Sequence, residues 1–170
     1  MFPQKERDQK ELQDLVRALA WNDEFGCYTR QGFKKLIWPE IEEDARWIVY
    51  FDVDGVHAIN EATRGYEAFD AMMKQALATL RLTDYVACQV KSGDEFAVCL
   101  TESKTQREGE LRQTLDPQAV KERLIEALKK QGLTATFAIV PVVSREFLVN
   151  LKPAVDQVYQ AKNARGTGRR

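Results

Sequence analysis

The chain has 170 residues, of which 44% are hydrophobic and 30% charged, and its net charge at pH 7 is −1. This balance is typical of a soluble globular domain and excludes a disordered or membrane-embedded chain. A charge so close to zero gives no overall attraction to nucleic acid or anionic lipid, so local groups must hold any anionic ligand. No apolar run approaches the roughly 18 residues of a membrane helix, and MFPQKERDQK lacks the apolar stretch of a secretion signal. We therefore expect a cytoplasmic protein without nucleic-acid or membrane partners.

The first third of the chain predicts two helical segments and one buried strand. Residues 1–20 are assigned to an N-terminal helix because their apolar side chains share one helical face, namely Leu12, Leu15, Val16 and Leu19. The loop WNDEFGCYTR then leads to a short helix over 31–41. Residues 46–53, RWIVYFDV, form a continuous apolar run of strand length, which is typical of a central strand buried on both faces.

The rest of the chain alternates between helical and strand patterns. The predicted elements are a helix over 66–80, strands over 84–90 and 95–100, a helix over 116–130, a strand over 134–143 and a helix over 149–166. The turn KSGD joins the middle two strands, and Asp116-Pro117 supplies an N-cap and a first-turn proline. Residues 166–170, GTGRR, are assigned to a loose basic tail. The three cysteines lack metal-ligand spacing and are expected to be reduced core thiols.

The order strand, helix, strand, turn, strand, helix, strand defines the fold class. A hairpin flanked by two helix crossovers predicts an α+β domain with a palm-like or ferredoxin-like sheet and helices on one face. Neither an internal repeat nor a linker divides residues 1–170, so we expect a single domain. In this topology the end of the first central strand lies beside the hairpin turn, which brings Asp52 and Asp54 towards Asp94 and Glu95.

These converging carboxylates predict a cation site. Four acids at strand ends would repel one another in a partly buried site unless a cation neutralised them. Mg²⁺ takes carboxylate and backbone oxygens and shares its other positions with substrate phosphates, and two such ions can promote in-line displacement at phosphorus. DVDG and KSGDEFAV would each, taken alone, also fit an ordinary acidic turn. Their joint placement favours the metal site.

Four motifs in order resemble those of GGDEF domains, the catalytic domains of diguanylate cyclases. SGDEF at 92–96 is similar to the signature itself, with Ser92 in place of the first glycine. NDEFGCYTRQGF is similar to D-x-L-T-G-L-x-N-R-x-x-F, and FDVDGVHAIN to D-I-D-x-F-K-x-I-N-D. RGYEAFD stands where the family has G-H-x-x-G-D, and VYQAKNARGTGR is similar to A-L-Y-x-A-K-x-x-G-R-N-R. The resemblance spans most of the chain. It implies a GGDEF-like domain that stands by itself.

The resemblance implies an activity and a metal site. In the family, two GTP molecules on the two subunits of a homodimer condense into cyclic di-GMP, with release of pyrophosphate. It implies Mg²⁺ or Mn²⁺ ligands at Asp52, the backbone carbonyl of Val53, Asp94 and Glu95. Asp94 and Glu95 are also the implied catalytic pair, and either could assist deprotonation of the 3′-hydroxyl.

The resemblance also implies the substrate-binding residues. Asn60 and Asp70 match the guanine-reading positions, because an Asp carboxylate accepts from the guanine N1–H and N2–H₂ donors, which adenine lacks. Gly93 lets the turn approach the phosphates closely, while Lys162 and Arg165 bind the β- and γ-phosphates. Each residue also has a purely structural interpretation. Asn60 could be a turn residue, Asp70 could lie on a solvated helix face, and Lys162 could complement the dipole at the end of the last helix.

Departures from the family pattern leave alternatives open. One extra residue lies between Asn60 and Asp70, which reshapes the base pocket. Arg81 and Asp84 are similar to the R-x-x-D product-inhibition site but lie further from the signature than usual, and a helix end and a strand start explain them equally. The second hypothesis is therefore an ATP-using or mixed-base cyclic nucleotide synthase related to minimal CRISPR polymerases. The third is an inactive module that binds GTP or cyclic di-GMP.

Overall fold

A six-stranded sheet organises the described part of the protein. The computed structural model describes residues 4–80, 84–88, 93–102 and 115–166, with the backbone alone at 17 and 84–88. The strands are β1 (Trp21–Asn22), β2 (Cys27–Tyr28), β3 (Ala45–Val53), β4 (Asp84–Cys88), β5 (Glu95–Thr101) and β6 (Ala135–Pro141). Their order in the sheet is β1-β2-β4-β5-β3-β6.

The helices surround this sheet and connect its strands. They are α1 (Gln4–Ala20), α2 (Arg30–Gly32), α3 (Trp38–Ile41), α4 (Val56–Thr63), α5 (Glu67–Leu77), α6 (Pro117–Lys130) and α7 (Phe147–Ala164). A π-helical turn, Phe33–Ile37, joins α2 to α3. No helix within the described segments is both long and apolar enough to span a membrane.

The sheet has the predicted palm-like topology. β3 lies in the middle, antiparallel to β5 on one side and to β6 on the other, and β4 pairs antiparallel with β5. Helices α5 and α6 cross over between these strands. When β3, β4, β5 and β6 are numbered 1 to 4 in chain order, their order in the sheet is 4-1-3-2, which is that of a ferredoxin-like sheet. The predicted α+β fold class is confirmed.

Helices cover both faces of the sheet, which differs from the prediction of one covered face. The crossover helices α5 and α6 pack against Val49, Phe51 and Val53 of β3. Helix α7 and the segment 33–41 pack against Ile48 and Tyr50 on the opposite face. Because both faces are covered, the apolar run of β3 is buried on both sides, as its composition predicts.

Several local predictions are confirmed and others need correction. Asp116 caps α6 by accepting hydrogen bonds from the backbone N–H groups of Gln118 and Ala119. The N-terminal helix is present, but its face of Leu12, Leu15 and Leu19 is exposed instead of packed. Cys27 and Cys99 are buried thiols that form no disulfide within the described residues, as expected. Residues 167–170 of the predicted tail lie outside the described residues.

Helix α4 was missed by the sequence analysis. It follows directly after Gly55, whose positive φ of 71° turns the chain from the end of β3 into a helix. An eight-residue helix with no buried residue carries little periodic signal, so the segment resembles a loop in the sequence. It positions Asn60 next to the acidic end of β3.

Asn150 fixes the start of α7. Its side chain is 1% exposed. The Oδ1 atom accepts from the backbone N–H groups of Val143 and Ser144, both at 2.8 Å, and Nδ2 donates to the carbonyls of Ser144 and Glu146. This buried amide thereby ties the loop after β6 to the helix that carries Lys162.

Replacing Asn150 with Ala should lower the free energy of unfolding by about 1–3 kcal/mol, because two backbone donors and two acceptors lose their partner in a buried place. The matched control is Asn163→Ala on the exposed side of the same helix, which should change it by less than about 0.5 kcal/mol. Urea denaturation measures both values. Equal values for the two variants would contradict the assignment of Asn150 as an anchor.

Candidate active site

Antiparallel pairing brings three acids from two distant segments of the sequence to one end of the paired strands β3 and β5. We call this end the acidic edge. Asp52, near the end of β3, lies opposite Glu95, the first residue of β5. The backbone N–H of Val53 donates to the carbonyl of Asp94 at 2.8 Å. Asp52, Val53, Asp94 and Glu95, the four predicted metal ligands, are therefore neighbours in the structure.

Glu95 is held from within the core by a tyrosine. The Tyr50 hydroxyl donates to Oε1 of Glu95 at 2.5 Å, and both side chains are buried. Burial above all, and then the hydrogen bond to Glu95 and the surrounding negative charges, raise the pKa of Tyr50 far above its ordinary value. The phenol therefore stays protonated and remains the donor.

Lys162 bridges two carboxylates at the same edge. Its Nζ atom lies 2.7 Å from Oδ1 of Asp52 and 3.1 Å from Oδ1 of Asp54, and the lysine side chain is only 15% exposed. Burial alone would lower the pKa of Lys162, yet its contacts with the two carboxylates raise it. Burial raises the pKa of Asp52. The contacts with Lys162 lower it, and the negative charges of Asp94 and Glu95 raise it further. Lys162 is the cation that balances this edge.

Asp54 is anchored to β6 as well as to Lys162. It accepts hydrogen bonds from the hydroxyls of Thr134 at 3.1 Å and Thr136 at 3.4 Å. Thr136 in turn accepts a hydrogen bond from the guanidinium group of Arg165. Lys162 and Arg165, the two predicted phosphate-binding residues, thus both contact the network around Asp54.

A pocket of about 560 Å³ adjoins the acidic edge. Its volume is in the range of small-molecule sites. It is lined by residues before β2, from α4 and α5, and from the turn before β5: Glu24, Phe25, Val56, His57, Asn60, Tyr66, Glu67, Phe69, Asp70, Gly93 and Asp94. The predicted base-reading residues Asn60 and Asp70 and the predicted catalytic residue Asp94 therefore line one cavity.

Asn60 presents an unsatisfied acceptor at this pocket. Its Oδ1 atom is buried and makes no hydrogen bond within the part of the chain that the structure describes. Buried polar atoms nearly always have a partner, and one that lacks it at a cavity wall is a candidate for ligand recognition. A turn role for Asn60, the structural alternative, does not account for this atom.

The pocket is more acidic than the sequence analysis predicted. Burial raises the pKa of Asp70, and the nearby charges of Glu24 and Glu67 raise it further. Glu24 was missed because it stands in a segment assigned to a loop, and Glu67 because it opens a helix. His57 also lines the pocket, where it lies 3.2 Å from Glu61 and is largely exposed.

The acidic strand ends carry carboxylate and carbonyl oxygens, the type of donor that Mg²⁺ prefers. Asp52, Asp94 and Glu95 interact electrostatically, but no group of three His, Cys, Asp or Glu side chains in the described segments is arranged to hold an ion. Mg²⁺ in phosphate-processing sites commonly uses one or two carboxylates together with substrate phosphates. The strand edge offers such carboxylates and the Val53 carbonyl, provided that Lys162 leaves Asp52.

The predicted product-inhibition site and the first residue of the SGDEF motif are not described in full. Arg81 and Ser92 lie outside the described residues, and Asp84 is described only as the first backbone position of β4. Product inhibition at Arg81 and Asp84 therefore stays a prediction.

Comparison with known proteins identifies the fold. No family model matches the sequence, and no curated protein matches it. Among solved structures, a microbial GGDEF domain studied for its interaction with cyclic di-GMP is 18% identical, with a TM-score of 0.64 over 92% of this chain and 97% of that chain.

Two further structures give the same result. Diguanylate cyclase SiaD from Pseudomonas aeruginosa, solved with its activator SiaC, is 18% identical with a TM-score of 0.67 over 94% of this chain and 66% of that chain. The coiled coil and GGDEF domain of DgcB from Caulobacter crescentus, in complex with cyclic di-GMP, is 16% identical with a TM-score of 0.61 over 94% and 88%. This chain has the fold of GGDEF domains, as its motifs predict.

Replacing Lys162 with Gln should lower the free energy of unfolding by about 1–3 kcal/mol at neutral pH, because Asp52 and Asp54 lose their buried counter-ion. Without Lys162, the pKa of Asp52 in the folded state rises further above its unfolded value. The native state then binds more protons than the unfolded state, so the loss should grow as the pH rises from about 4 to neutrality.

The matched control is Lys152→Gln, which makes the same charge change on the same helix. Lys152 pairs with Asp156 at 2.8 Å, but both side chains are exposed. Its loss should cost less than about 0.5 kcal/mol with little pH dependence. Chemical denaturation at several pH values compares the two variants. The same loss and the same pH profile in both would rule out Lys162 as the balancing cation.

Proposed function

We propose that this chain is a nucleotidyl cyclase that condenses two GTP molecules into cyclic di-GMP with release of two pyrophosphates. The observation that carries the proposal is the direct contact between an acidic strand edge and a nucleotide-sized pocket. Asp94 belongs to both, since it lines the pocket and interacts with Asp52. The GGDEF fold supports the same reaction class.

The pocket chemistry favours guanine. Asp70 and Asn60 both line the cavity, and the Oδ1 atom of Asn60 is buried without a hydrogen-bond partner in the described part of the chain. Guanine supplies N1–H and N2–H₂ donors on one edge, whereas adenine supplies only its N6 amino group. The negative charges of Glu24 and Glu67 reinforce a preference for a donor-rich edge.

Asp52, Asp94, Glu95 and the Val53 carbonyl would hold Mg²⁺ or Mn²⁺ together with the nucleotide phosphates. The bound ions would neutralise the charge that develops on the phosphate oxygens. Lys162 moves from Asp52 and Asp54 to the β- and γ-phosphates, so one positive charge serves the empty and the loaded site in turn. Arg165 contributes a second cationic group beside it.

The reaction requires a homodimer. In the described residues of each chain, the acidic strand ends adjoin the pocket around Asn60 and Asp70, which we assign to one GTP molecule. The 3′-hydroxyl of each nucleotide attacks the α-phosphate of the other, and each attack forms one phosphodiester bond while one pyrophosphate leaves. Either Asp94 or Glu95 would accept the hydroxyl proton.

Product analysis tests the proposal. The purified chain is incubated with Mg²⁺ or Mn²⁺ and with each nucleoside triphosphate, alone and in mixtures, and the products are identified by mass spectrometry. We expect cyclic di-GMP from GTP alone. Adenine-containing products would contradict the guanine assignment, and nucleotide binding without any product would contradict the cyclase assignment.

Glu95→Gln should reduce product formation by a factor of at least about 100, because the amide keeps the shape of the side chain but loses its charge. Glu102→Gln is the matched control, since that side chain is 61% exposed at the far end of β5. Circular dichroism establishes that both variants are folded. Full activity in the Glu95 variant would exclude it from the metal and catalytic set.

Specific activity should fall when the protein is diluted, because two loaded chains must meet before either nucleotide can react. Initial rates are measured over a wide range of protein concentrations at saturating GTP, with an inert carrier protein to prevent surface loss. A rate that rises faster than linearly, and then becomes linear once dimers predominate, is expected. A rate proportional to concentration throughout, with a monomer found by ultracentrifugation, would contradict the homodimer.

A further inference from the structure

We propose that Tyr50 is a positioning residue that orients the Glu95 carboxylate for binding a divalent cation. The inference rests on the proposed function of the acidic strand edge. It goes beyond that function by assigning a role to a residue inside the core, which itself touches neither metal nor nucleotide.

The strand register places the two side chains on the same face. Tyr50 precedes Asp52 by two positions on β3, so their side chains project to the same side of the sheet. Tyr50 pairs with Ala97, and Asp52 pairs with Glu95, which makes Tyr50 and Glu95 diagonal neighbours on adjacent strands. The small side chain of Ala97 leaves the space that the tyrosine ring crosses to reach Glu95.

The tyrosine ring is fixed by its surroundings. It is 1% exposed and belongs to the apolar core between the sheet and α7, together with Ile48, Leu151 and Ala154. Because the ring is packed on all sides, it cannot move with the Glu95 side chain, and the position of its hydroxyl is therefore fixed. Oε1 of Glu95 lies 2.5 Å from that point.

The contact has the character of a charge-assisted hydrogen bond. A phenol that donates to a carboxylate makes a strong hydrogen bond, because the acceptor carries a negative charge. Glu95 is itself 8% exposed, so solvent cannot readily replace a lost donor. Hydrogen bonds of this kind, from residues behind the ligands, commonly change metal affinity or activity by about 10–100-fold.

A purely structural tyrosine would not need this geometry. Every other side chain from Trp47 to Phe51 is apolar, and phenylalanine would fill the same core. The hydroxyl is a single polar atom placed in an apolar layer, directly against a carboxylate of the acidic edge. This contact favours a role in orienting Glu95 over a role in core packing alone.

Tyr50→Phe tests the role because it removes only the hydroxyl. Mn²⁺ binding is measured by the electron paramagnetic resonance signal of free Mn²⁺, in the presence of a GTP analogue that cannot react. We expect Mn²⁺ affinity to fall by about 10–100-fold, and kcat at saturating Mn²⁺ to fall less than the affinity. Tyr159→Phe, an exposed tyrosine on α7, is the control and should leave Mn²⁺ affinity unchanged.

A double-mutant cycle separates positioning from packing. In a Glu95→Gln background, adding Tyr50→Phe should not weaken Mn²⁺ binding further, because the hydroxyl acts through the Glu95 charge. An equal fold-loss in both backgrounds, or no loss in either, would overturn the proposal. Circular dichroism establishes that each variant is folded, because Tyr50→Phe removes one oxygen and leaves the buried ring in place.

The measurement also distinguishes this inference from the proposed function. If the wild-type chain binds Mn²⁺ but forms no cyclic di-GMP, the proposed reaction fails while the binding comparison still decides the role of Tyr50. If the wild-type chain binds no Mn²⁺ even with the nucleotide analogue, the positioning role is overturned as well.

Discussion

The antiparallel pairing of β3 with β5 is the constraint on which the rest of this structure depends. Its register sets Asp52 opposite Glu95 and brings the Asp94 carbonyl to the N–H of Val53. A shift of β5 by one residue would turn Glu95 to the face of the sheet opposite Asp52 and separate the two acids. The apolar cores on both faces fix that register, so packing energy maintains the geometry of the acidic edge.

Charge is the second constraint, and the chain offsets it in part with its own residues. Lys162 pairs with Asp52 and Asp54 and compensates part of their negative charge, while the phenol of Tyr50 donates a hydrogen bond to Glu95. A metal–nucleotide complex would bring both new cations and new anions to this edge. In the mechanism we propose, Lys162 would leave the carboxylates for the phosphates when the metal ion arrives, so that its partly buried charge would have a partner in both states.

The sequence predicted the fold and the main acids because these depend on local patterns. The apolar run before Asp52 marks a doubly covered strand, and the glycine turn before Glu95 marks a hairpin. The contacts of Tyr50 and Lys162 could not be predicted, since each joins residues far apart in the chain and depends on side-chain placement. Glu24 was missed for the same reason, because only the folded chain brings its loop to the pocket.

A crystal structure with Mg²⁺ and a non-reactive GTP analogue would test the central claim most directly. The account predicts guanine in the pocket between Asn60 and Asp70, a metal ion on Asp52, and Lys162 on the phosphates instead of the carboxylates. A nucleotide bound elsewhere, with Lys162 still between Asp52 and Asp54, would contradict it.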